Sequence, residues 1–383
     1  MSKETFCHKP KSLEVGDKIG LVNPVGEMNK KYAETSIRKA ISYLEIRGYN
    51  IAERRINRAK LIEGIQDSNI LADYYDPYST SEQEIRLNPY TTKERSFLAL
   101  NNPSSRERAQ LFNEAVANCE AIFPLVGNRF GIDIINHIDY ASFKKYKPIF
   151  VTFSAASAFL LYLHLRTNTV VFYGPHIHFL TGHENSYTVS FFWNLLEQKN
   201  PSSPILENIY SSANKQNIPP SERIPFFSYK VDQCPSMVAG RLFPVFLFSL
   251  EEVVKQGITD FNPNGNILMV EADERSYSDC FAALQSIHQR TNLCNLQALV
   301  LASFIAFKPE SSGLRSELLD PTKAQEFTLK VRRLLKDNVP VIYGFPMGHS
   351  KYKLTIPMGI QAELDIETGN ITFKENPFSN SEI

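Results

Sequence analysis

What this 383-residue chain lacks narrows it before any motif is considered. It has no excess of either charge, since 41 Lys and Arg are matched by 41 Asp and Glu. A broad basic field that would gather nucleic acid or an anionic membrane surface is therefore excluded. Its cysteines are few and scattered, at Cys7, Cys119, Cys234, Cys280 and Cys294, with no C-x-x-C pair. Such an odd set suggests neither a zinc site nor a disulfide framework. No apolar run is long enough to span a bilayer, and the first ten residues hold no apolar leader segment. No internal repeat or low-complexity tract is visible. The expectation is a reducing, cytoplasmic setting and an ordinary globular composition, long enough for two domains.

What is present is an alternation of strands and helices. Lys18–Val22 reads as a short strand running into Asn23-Pro24, and Ala33–Arg47 as a helix by its period, with Gly48 as its stop. Ser104-Ser105-Arg106-Glu107 is a capping box that opens a helix to about Asn118. Ala121–Val126, the run ending at Ser154, and Val170–Tyr173 read as further strands, with a short helix over Ile132–Ile138. The alternation argues for an α/β fold whose parallel sheet is covered by helices. Residues 54–95 are polar and carry Tyr74, Tyr75 and Tyr78, which reads as a long loop or insertion. Residues 199–236 are rich in Pro, Ser and Asn and read as a linker. The expected division is residues 1–180, a helix and linker over 181–236, and a second domain over 237–383. In that second part we expect a helix over Gly240–Val254, strands at Ile267–Val270, Gln297–Phe304 and Val339–Phe345, and helices at Ser278–Gln289 and Thr322–Lys336. The tail, Leu354–Lys374, reads as two strands around Glu367-Thr368-Gly369-Asn370.

The residue with the most chemical promise is Ser154, in Ile149-Phe150-Val151-Thr152-Phe153-Ser154-Ala155-Ala156-Ser157. A β-rich run ends on one hydroxyl, and small residues then open a helix. That arrangement lifts a side chain above the sheet's carboxyl edge and turns free helical N–H groups toward whatever it attacks. The G-x-S-x-G spelling of a nucleophile elbow is absent, and on spacing alone a helix N-cap is the commoner role for such a serine. A nucleophilic serine needs a base and a group to orient that base. His349 follows the strand Val339–Phe345 beside Gly348, and Glu271 ends the apolar run Ile267–Val270. All three stand at carboxyl ends of expected strands, where α/β proteins place ligands. A solvated acidic turn and an ordinary loop histidine are the plain alternatives for Glu271 and His349. His176-Ile177-His178 lacks a third ligand at motif spacing and reads as structure rather than metal site, and Trp193 reads as core.

Several segments together resemble the L,D-carboxypeptidase family of serine peptidases, which includes muramoyl-tetrapeptide carboxypeptidases and microcin-C self-immunity peptidases. Leu13–Pro24 resembles the family's opening "L-x-x-G-D-x-I" strand, and Ser105–Ala109 its "E-E-R-A" helix. Gly127-Asn128 stands where the family has a Gly-Gly pair. Pro148–Ser157 resembles "P-K-x-F-I-G-Y-S-D-I-T", and Tyr173-Gly174-Pro175 resembles "H-G-P". Ile267–Glu274 resembles "I-L-F-L-E-x-x-E", Phe345–His349 resembles "F-G-H", and Leu354–Gly359 resembles "T-L-P-I-G". The resemblance covers most of the chain and carries the family's nucleophile, glutamate and histidine onto Ser154, Glu271 and His349. Departures cluster around the serine, where Gly-Tyr-Ser-Asp is Thr152-Phe153-Ser154-Ala155 and the second glycine of the pair is Asn128.

The resemblance implies an N-terminal α/β domain bearing Ser154, a C-terminal β-rich α/β domain bearing Glu271 and His349, and a site at their interface. It implies a serine carboxypeptidase-like amidohydrolase that works through an acyl-enzyme without metal or organic cofactor. The oxyanion hole falls on Ala155, Gly127 and Asn128, and Arg129 is the candidate cation for an anionic group on the substrate. The implied substrate is a small peptide with an L,D-bond, as in a muropeptide, or a peptidyl or aminoacyl nucleotide. The implied assembly is a homodimer, with no nucleic-acid or membrane partner. A ligand-binding protein with a degenerate site on the same fold is the rival reading, and an esterase a further one.

Overall fold

The computed structural model of the chain describes residues 7–25, 30–52, 104–127, 130–181, 186–198, 227–229, 235–257, 261–273, 275–302, 320–335, 339–350 and 352–379. The expected insertion at 54–95, with Tyr74, Tyr75 and Tyr78, lies outside them, as does most of the 199–236 linker.

The first half follows the alternation. Strand β1 (Lys18–Gly20) precedes helix α1 (Lys30–Ile46), which buries Ala40 and Leu44. Gly48 follows that helix at φ 89°, a left-handed conformation suited to glycine, and β2 (Asn50–Ile51) comes next. Helix α2 (Ser105–Asn118) opens on the expected capping box: the Glu107 N–H donates to Ser104 Oγ at 3.3 Å, and the Ser104 N–H donates to the Glu107 carboxylate at 2.8 Å. β3 (Ala121–Ile122), a 3₁₀ turn over Ile132–His137, α3 (Tyr140–Tyr146) and β4 (Ile149–Thr152) follow. Then come α4 (Ser157–Thr167), β5 (Val171–Tyr173), α5 (Ile177–Leu180) and α6 (Ser186–Glu197). These strands lie parallel in the order β5-β4-β3-β1-β2. The order reverses between β1 and β3, so the loops after these two strands flank a switch point, where open α/β sheets form their ligand crevice.

The second half contains β6 (Phe227–Tyr229), β7 (Met237–Phe246), α7 (Leu247–Lys255), β8 (Asn266–Glu271) and α8 (Tyr277–Thr291). It continues with β9 (Ala298–Ala302), α9 (Pro321–Leu334), β10 (Val341–Phe345), β11 (Ile356–Met358), β12 (Gln361–Asp365) and β13 (Ile371–Phe373). Its seven-stranded sheet runs β13-β12-β7-β8-β9-β10-β6, with parallel pairings from β7 to β10 and antiparallel strands at both flanks. β4 and β8, which lead to Ser154 and Glu271, are buried along their whole length, as parallel strands covered on both faces are.

Two expectations need correction. Gly240–Val254 is not one helix, because the chain stays extended through Phe246 and only then turns into α7. Pro244 is incompatible with a helix interior, and the alternate burial of Val238, Gly240 and Leu242 is a strand pattern. The tail holds three strands rather than two. β12 and β13 form the expected hairpin, with Gly369 at φ 72° in its turn. β11 crosses to the first sheet and pairs antiparallel with β5, completing six strands there. The choice between sheets depends on which edge is open, and the tail's own sequence carries no sign of that.

Candidate active site

The turn that presents Ser154 is built from a strained residue and four tethers. β4 ends at Thr152, Phe153 stays extended, and Ser154 adopts φ 62° before a 3₁₀ turn over Ser154–Ala156 runs into α4. A non-glycine residue there costs roughly 1–2 kcal/mol, and such strain is retained where the surroundings impose it. Ser154 caps neither helical segment; Phe153 and Ala156 occupy the N-cap positions, without side-chain caps. The Ala156 N–H donates to Gly127 O at 3.1 Å. From the other sheet, Ser249 Oγ on α7 donates to Ala155 O at 2.9 Å, and the Phe246 N–H at the end of β7 donates to Ser157 Oγ at 3.0 Å. The fourth tether is the Ser154 N–H, which donates to the Tyr173 hydroxyl at 3.3 Å.

Gly127 follows β3, at the switch point. Asn23, just past β1, holds its loop by accepting from the Leu125 N–H at 2.7 Å and the Val126 N–H at 3.3 Å. A Cβ on Gly127 would stand 2.6 Å from the Ala156 Cβ and 2.8 Å from the His176 ring, so only glycine lets the loop close on the helix start.

Glu271 and His349 meet as the sequence anticipates. Glu271 ends β8 fully buried, and its Oε2 accepts from His349 Nδ1 at 2.9 Å. Its Oε1 accepts from the Tyr173 hydroxyl, so each carboxylate oxygen has a donor and the buried charge is paired. Gly348, at φ 67°, brings the loop after β10 against this carboxylate; a Cβ there would stand 2.7 Å from Oε1. The partly exposed His349 ring lies on Phe153, the residue before Ser154, with centroids 5.0 Å apart, and against Phe246 at 6.0 Å. Asp273 approaches the opposite ring nitrogen, with Oδ2 3.5 Å from Nε2. Burial works against an imidazolium at His349, but the charge and hydrogen bond of Glu271, joined by Asp273, outweigh it, while Lys353 opposes them. The net result is a histidine that holds its proton to higher pH than usual.

The other singled-out residues fall into place around this centre. Thr152 is buried, its hydroxyl 2.8 Å from His176 Nε2. His176 packs on Phe153 at 4.6 Å, and burial, with His178 and His349 nearby, keeps it neutral well below the usual histidine range. Among the described residues no group of three or more His, Cys, Asp or Glu is arranged to hold a metal ion. Trp193 is core, its indole N–H donating to the Tyr43 hydroxyl at 2.7 Å. Asn128 and Arg129 lie outside the described residues. Sequence reasoning passed over Tyr173, Ser249 and Asp273. Tyr173 had a readable signal, since it ends a strand beside the serine's and precedes Gly174-Pro175. Ser249 had none, because its contact spans 94 residues.

Comparison with known proteins sets this geometry in context. Residues 78–174 match the LD-carboxypeptidase N-terminal domain, and residues 247–364 match the LD-carboxypeptidase C-terminal domain. The microcin C7 self-immunity protein MccF of Escherichia coli is 23% identical, over 72% of this chain and 80% of its own length. The solved apo structure of wild-type MccF superposes with a TM-score of 0.66 at 19% identity, covering 97% of this chain and 99% of that one. A muramoyltetrapeptide carboxypeptidase from Oxalobacter formigenes gives a TM-score of 0.58 at 20% identity, covering 92% and 97%. These structural likenesses establish a shared two-domain α/β fold.

Proposed function

Since the chain belongs to the LD-carboxypeptidase family, we propose that it is a serine-type amidohydrolase with Ser154 as nucleophile, His349 as base and Glu271 as the residue that orients that base. The family supports a peptidase-type hydrolase. The observation that carries the finer reading is the 2.9 Å bond between His349 Nδ1 and the fully buried Glu271, set beside the strained Ser154 turn.

Glu271 accepts a hydrogen bond from the protonated Nδ1, which leaves Nε2 as the basic nitrogen of neutral His349. Nε2 takes the Ser154 hydroxyl proton as the oxygen attacks the substrate's amide carbonyl. The resulting oxyanion is met by the Ala155 N–H at the helix start and by N–H groups of the Gly127-Asn128 loop, each donor contributing about 3 kcal/mol. The Ser154 N–H is engaged by Tyr173 and takes no part. The imidazolium then gives its proton to the leaving amine, and water, deprotonated by His349, hydrolyses the acyl-serine. The proposed substrates are an L,D-peptide bond of a muropeptide or a peptidyl or aminoacyl nucleotide amide, with Arg129 as partner for a free carboxylate or phosphate. MccF has been solved with glutamyl sulfamoyl guanosine and with aspartyl sulfamoyl adenosine, which supports testing the nucleotide class first.

A fluorophosphonate probe tests the reading directly. Wild type should become labelled at Ser154 and turn over a stem peptide or aminoacyl-nucleotide amide, and Ser154→Ala should do neither while unfolding cooperatively. A folded wild type that is inert to both would favour the degenerate binding protein. Turnover of esters but not amides would favour an esterase.

A further inference from the structure

Tyr173 is one of the residues at which the two halves of the site touch, and its hydroxyl has just enough bonding capacity for the contacts it makes. A phenol offers one O–H donor and lone pairs to accept with. The donor goes to Glu271 Oε1 on β8, and a lone pair receives the Ser154 N–H beyond β4. The first bond joins the seven-stranded sheet to the six-stranded one, and the second fixes the nucleophile's own backbone. Tyr173 can serve both because it is held rigidly. β5 lies between β4 and β11, with Thr152 and Ile356 as the register partners of Tyr173, and the Phe153 ring meets the Tyr173 ring edge-on at 6.5 Å. The side chain is fully buried.

We infer that Tyr173 is the positioning residue of this site, its one hydroxyl setting both the Ser154 turn and the Glu271 carboxylate that orients His349. The inference rests on the proposed triad and deepens it. Glu271 has two oxygens and two donors, His349 on one and Tyr173 on the other. Without the phenol the carboxylate keeps its bond to Nδ1 but loses the second donor that fixes its rotation about the terminal bond, so the imidazole is held less firmly beside the Ser154 turn. The Tyr173 donation also draws charge from the carboxylate, so the phenol moderates how strongly Glu271 holds the His349 proton. Burial, then the Glu271 charge and hydrogen bond, keep the phenol protonated far above its ordinary range, so the donor is present at any working pH. The groups acting on His349 are thus Glu271 with Tyr173 behind it, Asp273 on the Nε2 side, and Lys353 and His176 as opposing or neutral neighbours.

Tyr173→Phe keeps the ring and removes only the hydroxyl. The expected result is a fall of about ten- to a hundredfold in kcat and in fluorophosphonate labelling of Ser154, with KM little changed. The acidic limb of the kcat/KM profile should move to higher pH, because an unmoderated Glu271 holds the His349 proton more tightly. A packing defect alone would leave that limb in place. In a Glu271→Gln background, Tyr173→Phe should cost clearly less than in wild type, since the two act as a unit. If Tyr173→Phe fails to fold, Tyr173→3-fluorotyrosine keeps the shape with a stronger donor and should move the limb to lower pH. An unchanged rate and limb in the folded variant, or equal losses in both backgrounds, overturns the inference while the triad stands. A wild type inert to probe and substrates overturns the triad and this inference together.

Discussion

Gly348→Ala separates two costs that usually arrive together. Gly348 has φ 67°, a conformation an alanine adopts only with strain, and its Cβ position falls against Glu271, 2.7 Å from Oε1 and closer still to Cγ and Cδ. Real Cβ contacts essentially never come under 3.0 Å, so the loop or the carboxylate must move. Glu271 has little freedom to yield, being fully buried and held by Tyr173 on one oxygen and His349 on the other. Gly257 is the control, with φ 64° and nothing within 4 Å of its Cβ position. Gly257→Ala should therefore show the backbone cost alone, about 1 kcal/mol. Gly348→Ala should add an overpacking cost of about 1–3 kcal/mol. A shift of the carboxylate by about 1 Å is also expected to lower kcat by roughly a hundredfold. Urea unfolding of both variants and wild type, paired with steady-state kinetics, gives the two differences. Matching stability losses and near-wild-type turnover in both variants would refute the account of Gly348 as the glycine that lets the histidine loop close on the carboxylate.

Other consequences can be measured on the same preparation. Ser154→Gly should be inactive yet about 0.5–1 kcal/mol more stable than wild type, because glycine relieves the φ 62° strain; a loss of stability in urea unfolding would show that the serine side chain supports its own turn. Asp273→Asn removes a charge that helps His349 keep its proton, so the acidic limb of kcat/KM should move to lower pH, opposite to Tyr173→Phe; an unmoved limb would mean that the Asp273 contact does not act on the free enzyme. His164 is buried and its pKa is lowered to about 4, chiefly by burial, and burial also holds His176 well below the usual histidine range. Below pH 6.5 the unfolded chain takes up protons that these folded histidines refuse, so stability must fall as pH drops from 7 to 5.5. For His164 the loss approaches about 3 kcal/mol by pH 4, and a flat midpoint in urea between pH 7 and 5.5 would contradict it.

The legible parts of this molecule were those whose physics is local. The capping box at Ser104 and Glu107 is written in four residues and forms as written. Gly48 and Gly369 stop or turn the chain because few other residues tolerate their φ. Glu271 and His349 could be paired because each follows an apolar strand, and the carboxyl edge of a parallel sheet gathers such residues. The helix expected over Gly240–Val254 begins only after Phe246, and Pro244 inside the segment is the local sign that its first part is strand β7. The departures around the serine also changed meaning. Thr152 is one of the departures beside the serine, yet its side chain is fully buried, with its hydroxyl 2.8 Å from His176 Nε2.

By itself the sequence determined which strands lead to Ser154, Glu271 and His349, because apolar runs ending in a polar residue are fixed by neighbours along the chain. Tertiary structure alone decided how those ends are joined. Tyr173 and Glu271 lie 98 residues apart, Ser249 and Ala155 lie 94 apart, and β11 leaves its sequence neighbours to close the first sheet beside Tyr173. Hydrogen bonds at such separations follow from the docking of two sheets, and docking depends on the shape of whole faces. No short stretch of chain carries that information, so the bonds that join the two sheets at the site became visible only when the sheets came together.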